Sequence, residues 1–159
     1  MFKLTCDKWS HDHGLQIIHA DVRLTIDGDE VIDEPLCVDV GLPALLQSVL
    51  RDAEPNRWAA PEQWERMPFF CCGCGDPECR AFSFRVEHRG ETVHVAEIDE
   101  RQNGESRVLA EYDVPKDEYK AEILKAGRQF LSFVEDLDYH PYLADTVRLV
   151  RGLVDELTP

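Results

Sequence analysis

The sequence predicts an α+β fold: an antiparallel β-sheet, made of an N-terminal hairpin and a C-terminal meander, covered by helices of which two are C-terminal. Three observations predict it. Apolar and polar residues alternate with period two between residues 15 and 26 and between 36 and 40, and again from Phe82 to Glu87. Beyond residue 115 the apolar spacing changes to three and four, the period of a helix. Asp, Gly, Pro and Asn cluster where one pattern gives way to the next. Strands followed by helices, rather than strands alternating with them, argue for an antiparallel sheet with segregated helices.

The first strand is read from residues 15–26, where Ile18, Ala20, Val22, Leu24 and Ile26 are apolar and His19, Asp21, Arg23 and Thr25 between them are polar. That alternation describes a strand with one wet face. Asp27-Gly28-Asp29 turns the chain, and a second run follows with Leu36, Val38 and Val40 inward and Cys37 and Asp39 on the opposite face. Pro35 lacks a donor, which puts this strand near an edge or at the start of its paired part. Gly41-Leu42-Pro43 opens a short helix through about Arg51, with Leu42, Leu45, Leu46, Val49 and Leu50 on one side.

Residues 52–68 read as a long ordered loop that packs Trp58 and Trp64, with a helical turn at 61–66. Three strand-like runs come next. Phe82, Phe84 and Val86 alternate in the first, Arg89-Gly90 leads to residues 92–98, and Asn103-Gly104 leads to residues 107–112. Pro115 with Asp117 and Glu118 suits the positive end of a helix, and Tyr119, Ile123, Ala126, Phe130, Val134 and Leu137 make its stripe. Asp138-Tyr139-His140-Pro141 breaks that helix. A terminal helix carries Leu143, Val147, Val150, Val154 and Leu157.

A chain of 159 residues fits one domain with its own core, here residues 1–159 with a cysteine-rich turn at 69–80. Seventeen basic and thirty-two acidic residues give a formal net charge of -15. Such an anion is repelled by nucleic acid and by acidic membrane surfaces, whereas a basic protein is steered toward it. The N-terminus lacks an apolar stretch of signal-peptide length, and no window approaches a membrane span. A cytoplasmic location, where thiols stay reduced, is the expectation.

Four of the six cysteines, Cys71, Cys72, Cys74 and Cys79, fall within nine residues. Gly73 and Gly75 allow left-handed backbone and Asp76-Pro77 makes a turn, so thiols at this spacing can converge. A zinc ion needs four soft or borderline ligands at ~2.3 Å. Cys72, Cys74 and Cys79 are the candidate zinc ligands, and Cys71, His88 or His13 the principal candidates for a fourth. His94, His11 and Cys6 are further donors; Cys6 and Cys37 lie in strand-like contexts, where free cysteine behaves as a small buried apolar residue. The same cluster also suits purely structural thiols or redox chemistry.

The segment Cys72-Gly73-Cys74-Gly75-Asp76-Pro77-Glu78-Cys79 resembles a Cys-x-Cys-Gly-x3-Cys turn of uncharacterised small acidic bacterial proteins, a likeness covering roughly residues 69–98. The resemblance implies a shared turn and no transferable activity. Nothing matches a phosphate-cradling glycine loop, a Gly-x-Ser-x-Gly elbow or a His-Glu-x-x-His pair. The composition therefore points to a non-enzymatic, acidic interaction or accessory protein, of the immunity or regulatory type, acting on a basic protein partner and carrying one structural zinc. A thiol- or metal-responsive sensor is the alternative, and a small thiol-dependent enzyme built from Cys72 or Cys74 with His88 or His94 is a second.

Overall fold

The computed structural model describes residues 1–141 and 145–159, so Leu143 of the expected terminal stripe lies outside the described residues. Seven strands form one antiparallel sheet in sequence order: β1 (Phe2–Asp12), β2 (Ile17–Ile26), β3 (Asp29–Cys37), β4 (Phe70–Cys71), β5 (Ala81–Arg89), β6 (Thr92–Asp99) and β7 (Arg107–Pro115). Among the described residues three α-helices, α1 (Leu42–Gln47), α2 (Lys116–Val134) and α3 (Thr146–Leu157), and a 3-10 helix at Pro61–Arg66, where a helical turn is expected, complete it. The α+β architecture and the two C-terminal helices are as the sequence predicts.

The N-terminal part is larger than a hairpin. In β1, Phe2, Leu4 and Cys6 are buried and alternate with polar neighbours, and β1 pairs with β2 from Phe2↔Ile26 to Asp12↔Ile17. Its alternation is legible only as far as Asp7, because Lys8 takes a positive φ of 52° and the register slips between Asp7 and Ser10. A bulge of this kind inserts an unpaired residue and destroys period two. The two-residue strand β4 was equally invisible, yet it joins the halves of the sheet: Cys37↔Cys71 links it to β3, and Phe70↔Phe82 and Cys71↔Ala81 link it to β5.

Strand β3 ends at Cys37, short of the expected Val40, because the chain turns there and Leu42 N–H donates to the Val38 carbonyl at 3.1 Å. Pro35 sits opposite Asp21 of β2. On its other side β3 meets β4 only at Cys37, so a residue without an N–H costs no ladder bond there. Regular helix α1 stops at Gln47, and single turns carry the chain to Arg51.

The helices form one layer. Helix α2 lies along β1, where the Phe2 and Tyr119 rings meet edge-on at 5.0 Å, and it also contacts α1 and α3. Tyr119, Ile123, Ala126, Phe130 and Val134 are all buried on its inner side. Leu137 falls beyond the helix end and is exposed, a departure from the expected stripe. Large side chains dominate such a core. Phe69 and Phe70 belong to it, whereas residues 72–80, which connect β4 to β5, contribute nothing to it. Among the described residues no helix is long and apolar enough to cross a membrane.

Candidate metal centre

The turn 72–80 is closed at its base by Cys72 N–H donating to the Arg80 carbonyl at 2.9 Å. Inside it, Cys79 N–H donates to the Asp76 carbonyl at 3.0 Å, and Asp76 Oδ1 accepts from Glu78 N–H at 2.9 Å. That Asx-type capping is what Asp before Pro provides. Gly73 and Gly75 both take positive φ, 84° and 87°. Gly73 has a second reason to be glycine. A Cβ there would stand 2.7 Å from Ile17 Cδ1 and 2.9 Å from Cys37 Cβ, whereas one on Gly75 would meet nothing within 4 Å.

These constraints bring three sulfurs together. Cys72 Sγ lies 3.0 Å from Cys79 Sγ and 3.2 Å from Cys74 Sγ, and all three ligand atoms lie within 4.8 Å of one another. The distances are far longer than a disulfide, ~2.05 Å. They are shorter than the ~3.8 Å edge of a tetrahedron drawn around zinc at ~2.3 Å. Three thiols in this arrangement can hold a metal ion after spreading by roughly half an ångström each way. Hydrogen bonds from Cys72 and Cys74 lower the pKa of the Cys79 thiol, while desolvation, with Cys79 next, pushes Cys72 up to about 12. Cys79 therefore becomes the thiolate that a metal needs more readily than Cys72.

The neighbouring loop holds the turn in place. Arg57 donates to the Cys79 carbonyl at 2.9 Å and Trp58 Nε1 to Glu78 at 3.0 Å. Arg80 forms a two-pronged ion pair with Glu34 and covers the Phe82 ring at 4.7 Å. Arg57 brings a positive charge to the backbone of the turn, whereas that of Arg80 is already paired with Glu34. Cys74 is exposed and Cys72 and Cys79 are half-buried. The turn forms part of the rim of an open cleft of about 680 Å³, whose walls include Ile17, Val40, Trp58, Met67 and His140.

The expected fourth ligands are placed elsewhere. Cys71 is the cross-strand partner of Cys37. His88 faces α1, its Nε2 on the Ser48 carbonyl at 2.8 Å. His13 lies against His11, with ring centroids 4.1 Å apart and the planes tilted by 45°. None of them joins the three-sulfur set. His94 lies on the wet face of β6 between Asp113 and Glu111. Cys6 is buried under α2, and burial lifts its thiol to about 12, an inert core sulfur.

A buried polar line beneath the cleft escaped the sequence reading. Cys37 is fully buried and donates to Asp39 Oδ1 at 3.0 Å, and Asp39 Oδ2 accepts from Tyr139. Burial raises the Asp39 pKa. A hydrogen bond to Cys71 raises Cys37, and the same bond lowers Cys71. The alternation did place Cys37 and Asp39 on one face opposite Leu36. What it could not carry is that Tyr139, a hundred residues on, closes over that face.

No protein-family model matches the chain, and no curated protein or solved structure shows significant similarity to it.

Proposed function

We propose that this protein binds one zinc ion through Cys72, Cys74 and Cys79 and acts as a non-enzymatic accessory protein for a basic protein partner. The convergence of three sulfurs within 4.8 Å carries the metal half of the reading. Zinc is favoured over harder ions because thiolates prefer soft or borderline metals, and over copper(II) or nickel(II) because the turn offers no planar nitrogen and oxygen set. The fourth position belongs to water or to a donor from outside the three-sulfur set. The formal charge of -15 supports the partner half, since opposite fields speed encounter and disfavour wrong partners.

Cobalt(II) titration of metal-free protein tests the metal. The wild type should develop thiolate charge-transfer absorption saturating near one equivalent, and zinc should displace it. Cys72→Ser and Cys79→Ser should abolish the signal while Cys6→Ser retains it. Equal signals from all three variants would defeat the assignment. Affinity capture at low and high salt tests the partner half: a basic protein released by salt is expected, and retention of none argues against it.

A metal-responsive sensor is the second reading. Cys74 is exposed and none of residues 72–80 belongs to the core cluster, so metal can come and go without unfolding the domain. Exchange with a chelator within minutes would favour the sensor, and resistance over days the structural ion.

A further inference from the structure

The six cysteines contain a second dithiol, distinct from the metal set. Cys37 closes β3, Cys71 closes β4, and the two are direct partners in the single pair that joins those strands. Opposed residues of an antiparallel pair stand ~4.5–5.5 Å apart at Cα, inside the ~4.4–6.8 Å span of disulfides. Directly opposed residues of such a pair project their side chains from the same face of the sheet. The two sulfurs differ in access. Cys71 is half-buried and lines the 680 Å³ cleft, whereas Cys37 is 0% exposed under the backbone of Gly73, whose Cβ position lies 3.3 Å from Cys37 Sγ. On the far side of Cys37 stands the Asp39 carboxyl, 3.0 Å from the sulfur and itself held by Tyr139.

We propose that Cys71 and Cys37 form a peroxide-oxidised cross-strand disulfide, with Cys71 the attacking sulfur and Cys37 the resolving one. The oxidant is a hydroperoxide small enough to enter the cleft. Cys71 sulfur attacks the O–O bond; one oxygen leaves and is protonated to water, or to an alcohol from an organic peroxide, and the other remains as a sulfenic acid. Cys37 sulfur then attacks Cys71 sulfur. The S–S bond forms as the S–O bond breaks, and the hydroxyl departs as water with the proton that Cys37 gives up. Two electrons pass from the two sulfurs to the peroxide oxygens. Asp39 is placed to accept the Cys37 proton on its way out. The order of attack follows from access, since the cleft reaches Cys71 and not Cys37.

The proposal is independent of the metal reading, because neither sulfur belongs to the three-sulfur set. It also predicts a physical consequence: a covalent rung at Cys37 and Cys71 fixes the chain one residue before Cys72 and so pins the base of the turn to β3.

The experiment is mass mapping of full-length protein treated with hydrogen peroxide, with and without zinc, alkylated, and cut with trypsin. Cleavage after Arg23, Arg51, Arg66 and Arg80 places Cys37 in peptide 24–51 and the four clustered cysteines in peptide 67–80. The expected result is a linked 24–51/67–80 pair lighter by two hydrogens, formed with and without zinc, lost in Cys71→Ser and kept in Cys74→Ser. Fragmentation of the wild-type pair should locate the bridge at Cys71, a readout that needs no variant to fold. Bridges confined to peptide 67–80, or a linked pair that persists in Cys71→Ser, would overturn the proposal. Failure of zinc to bind in the same samples would leave the linked pair intact and speak against the metal reading alone.

Discussion

Gly73→Ala and Gly75→Ala separate the two constraints that shape the turn. Both glycines need left-handed backbone, φ 84° and 87°, and an alanine there costs ~1–2 kcal/mol. Only Gly73 is also crowded, with Ile17 Cδ1 at 2.7 Å and Cys37 Cβ at 2.9 Å from the added methyl. Ile17 Cδ1 is the free end of a side chain, but Cys37 Cβ is fixed to the backbone of a fully buried strand residue and cannot swing away. Overpacking of that kind adds ~1–3 kcal/mol. Gly75→Ala should therefore cost about 1–2 kcal/mol and Gly73→Ala about 2–5 kcal/mol in urea unfolding of the zinc-loaded protein. If the turn escapes the clash by lifting from β3, the sulfurs lose their positions. The cost then appears as a fall in zinc affinity on the order of 30-fold or more, at ~1.4 kcal/mol per factor of ten. Chelator competition and urea titration on the same samples capture either route. Indistinguishable results for the two variants would refute the argument that packing against β3 sets the turn.

Three further outcomes follow from other contacts. Arg57→Ala removes the donor to the Cys79 carbonyl and should weaken zinc on the order of tenfold in competition assays, with an unchanged far-ultraviolet CD spectrum. Tyr119→Phe removes a buried hydroxyl that meets Ser48 Oγ at 2.6 Å, but Ser48 keeps its bond to the Leu45 carbonyl. It should lose about 1 kcal/mol, seen as a melting shift of about 2–4 °C. Asp113, then Glu111, raise the His94 pKa above its ordinary value. Their stabilisation is present below the unfolded imidazole pKa and disappears as pH rises through the raised folded value. The melting deficit of His94→Gln should accordingly be larger at about pH 5.5 than at about pH 8.5. Solvent screening, with the two carboxylates 58% and 64% exposed, keeps the effect to about 1 kcal/mol or less. A pH-independent deficit would contradict the assignment.

Legibility in the sequence followed local periodicity. Strand β2 announced itself by alternation and β5 by Phe82, Phe84 and Val86, β6 and β7 by the turn signals Arg89-Gly90 and Asn103-Gly104 before them, and α2 by helical spacing of its buried residues from Tyr119 to Val134. Strand β1 was obscured by a bulge, and β4 is too short for any period to register. The three zinc-ligand candidates were legible because glycine and proline between clustered cysteines constrain the turn locally. The placement of Cys71, His88 and His13 depends on contacts across the fold: Cys71 on pairing with β3, His88 on the end of α1, and His13 on His11 in the β1–β2 region. Residue types alone do not encode such choices. Asp39 with Tyr139 is the extreme case, a buried pair separated by a hundred positions.

The most direct test of the proposed metal centre is a thiol count on native protein supplied with zinc, before and after addition of a strong chelator, with the released metal measured in the same sample. The account predicts that about one zinc per chain is released and that three thiols, mapped to Cys72, Cys74 and Cys79, become newly reactive while Cys6 and Cys37 stay masked. Release of no metal, with those three thiols equally reactive before and after chelation, would contradict it.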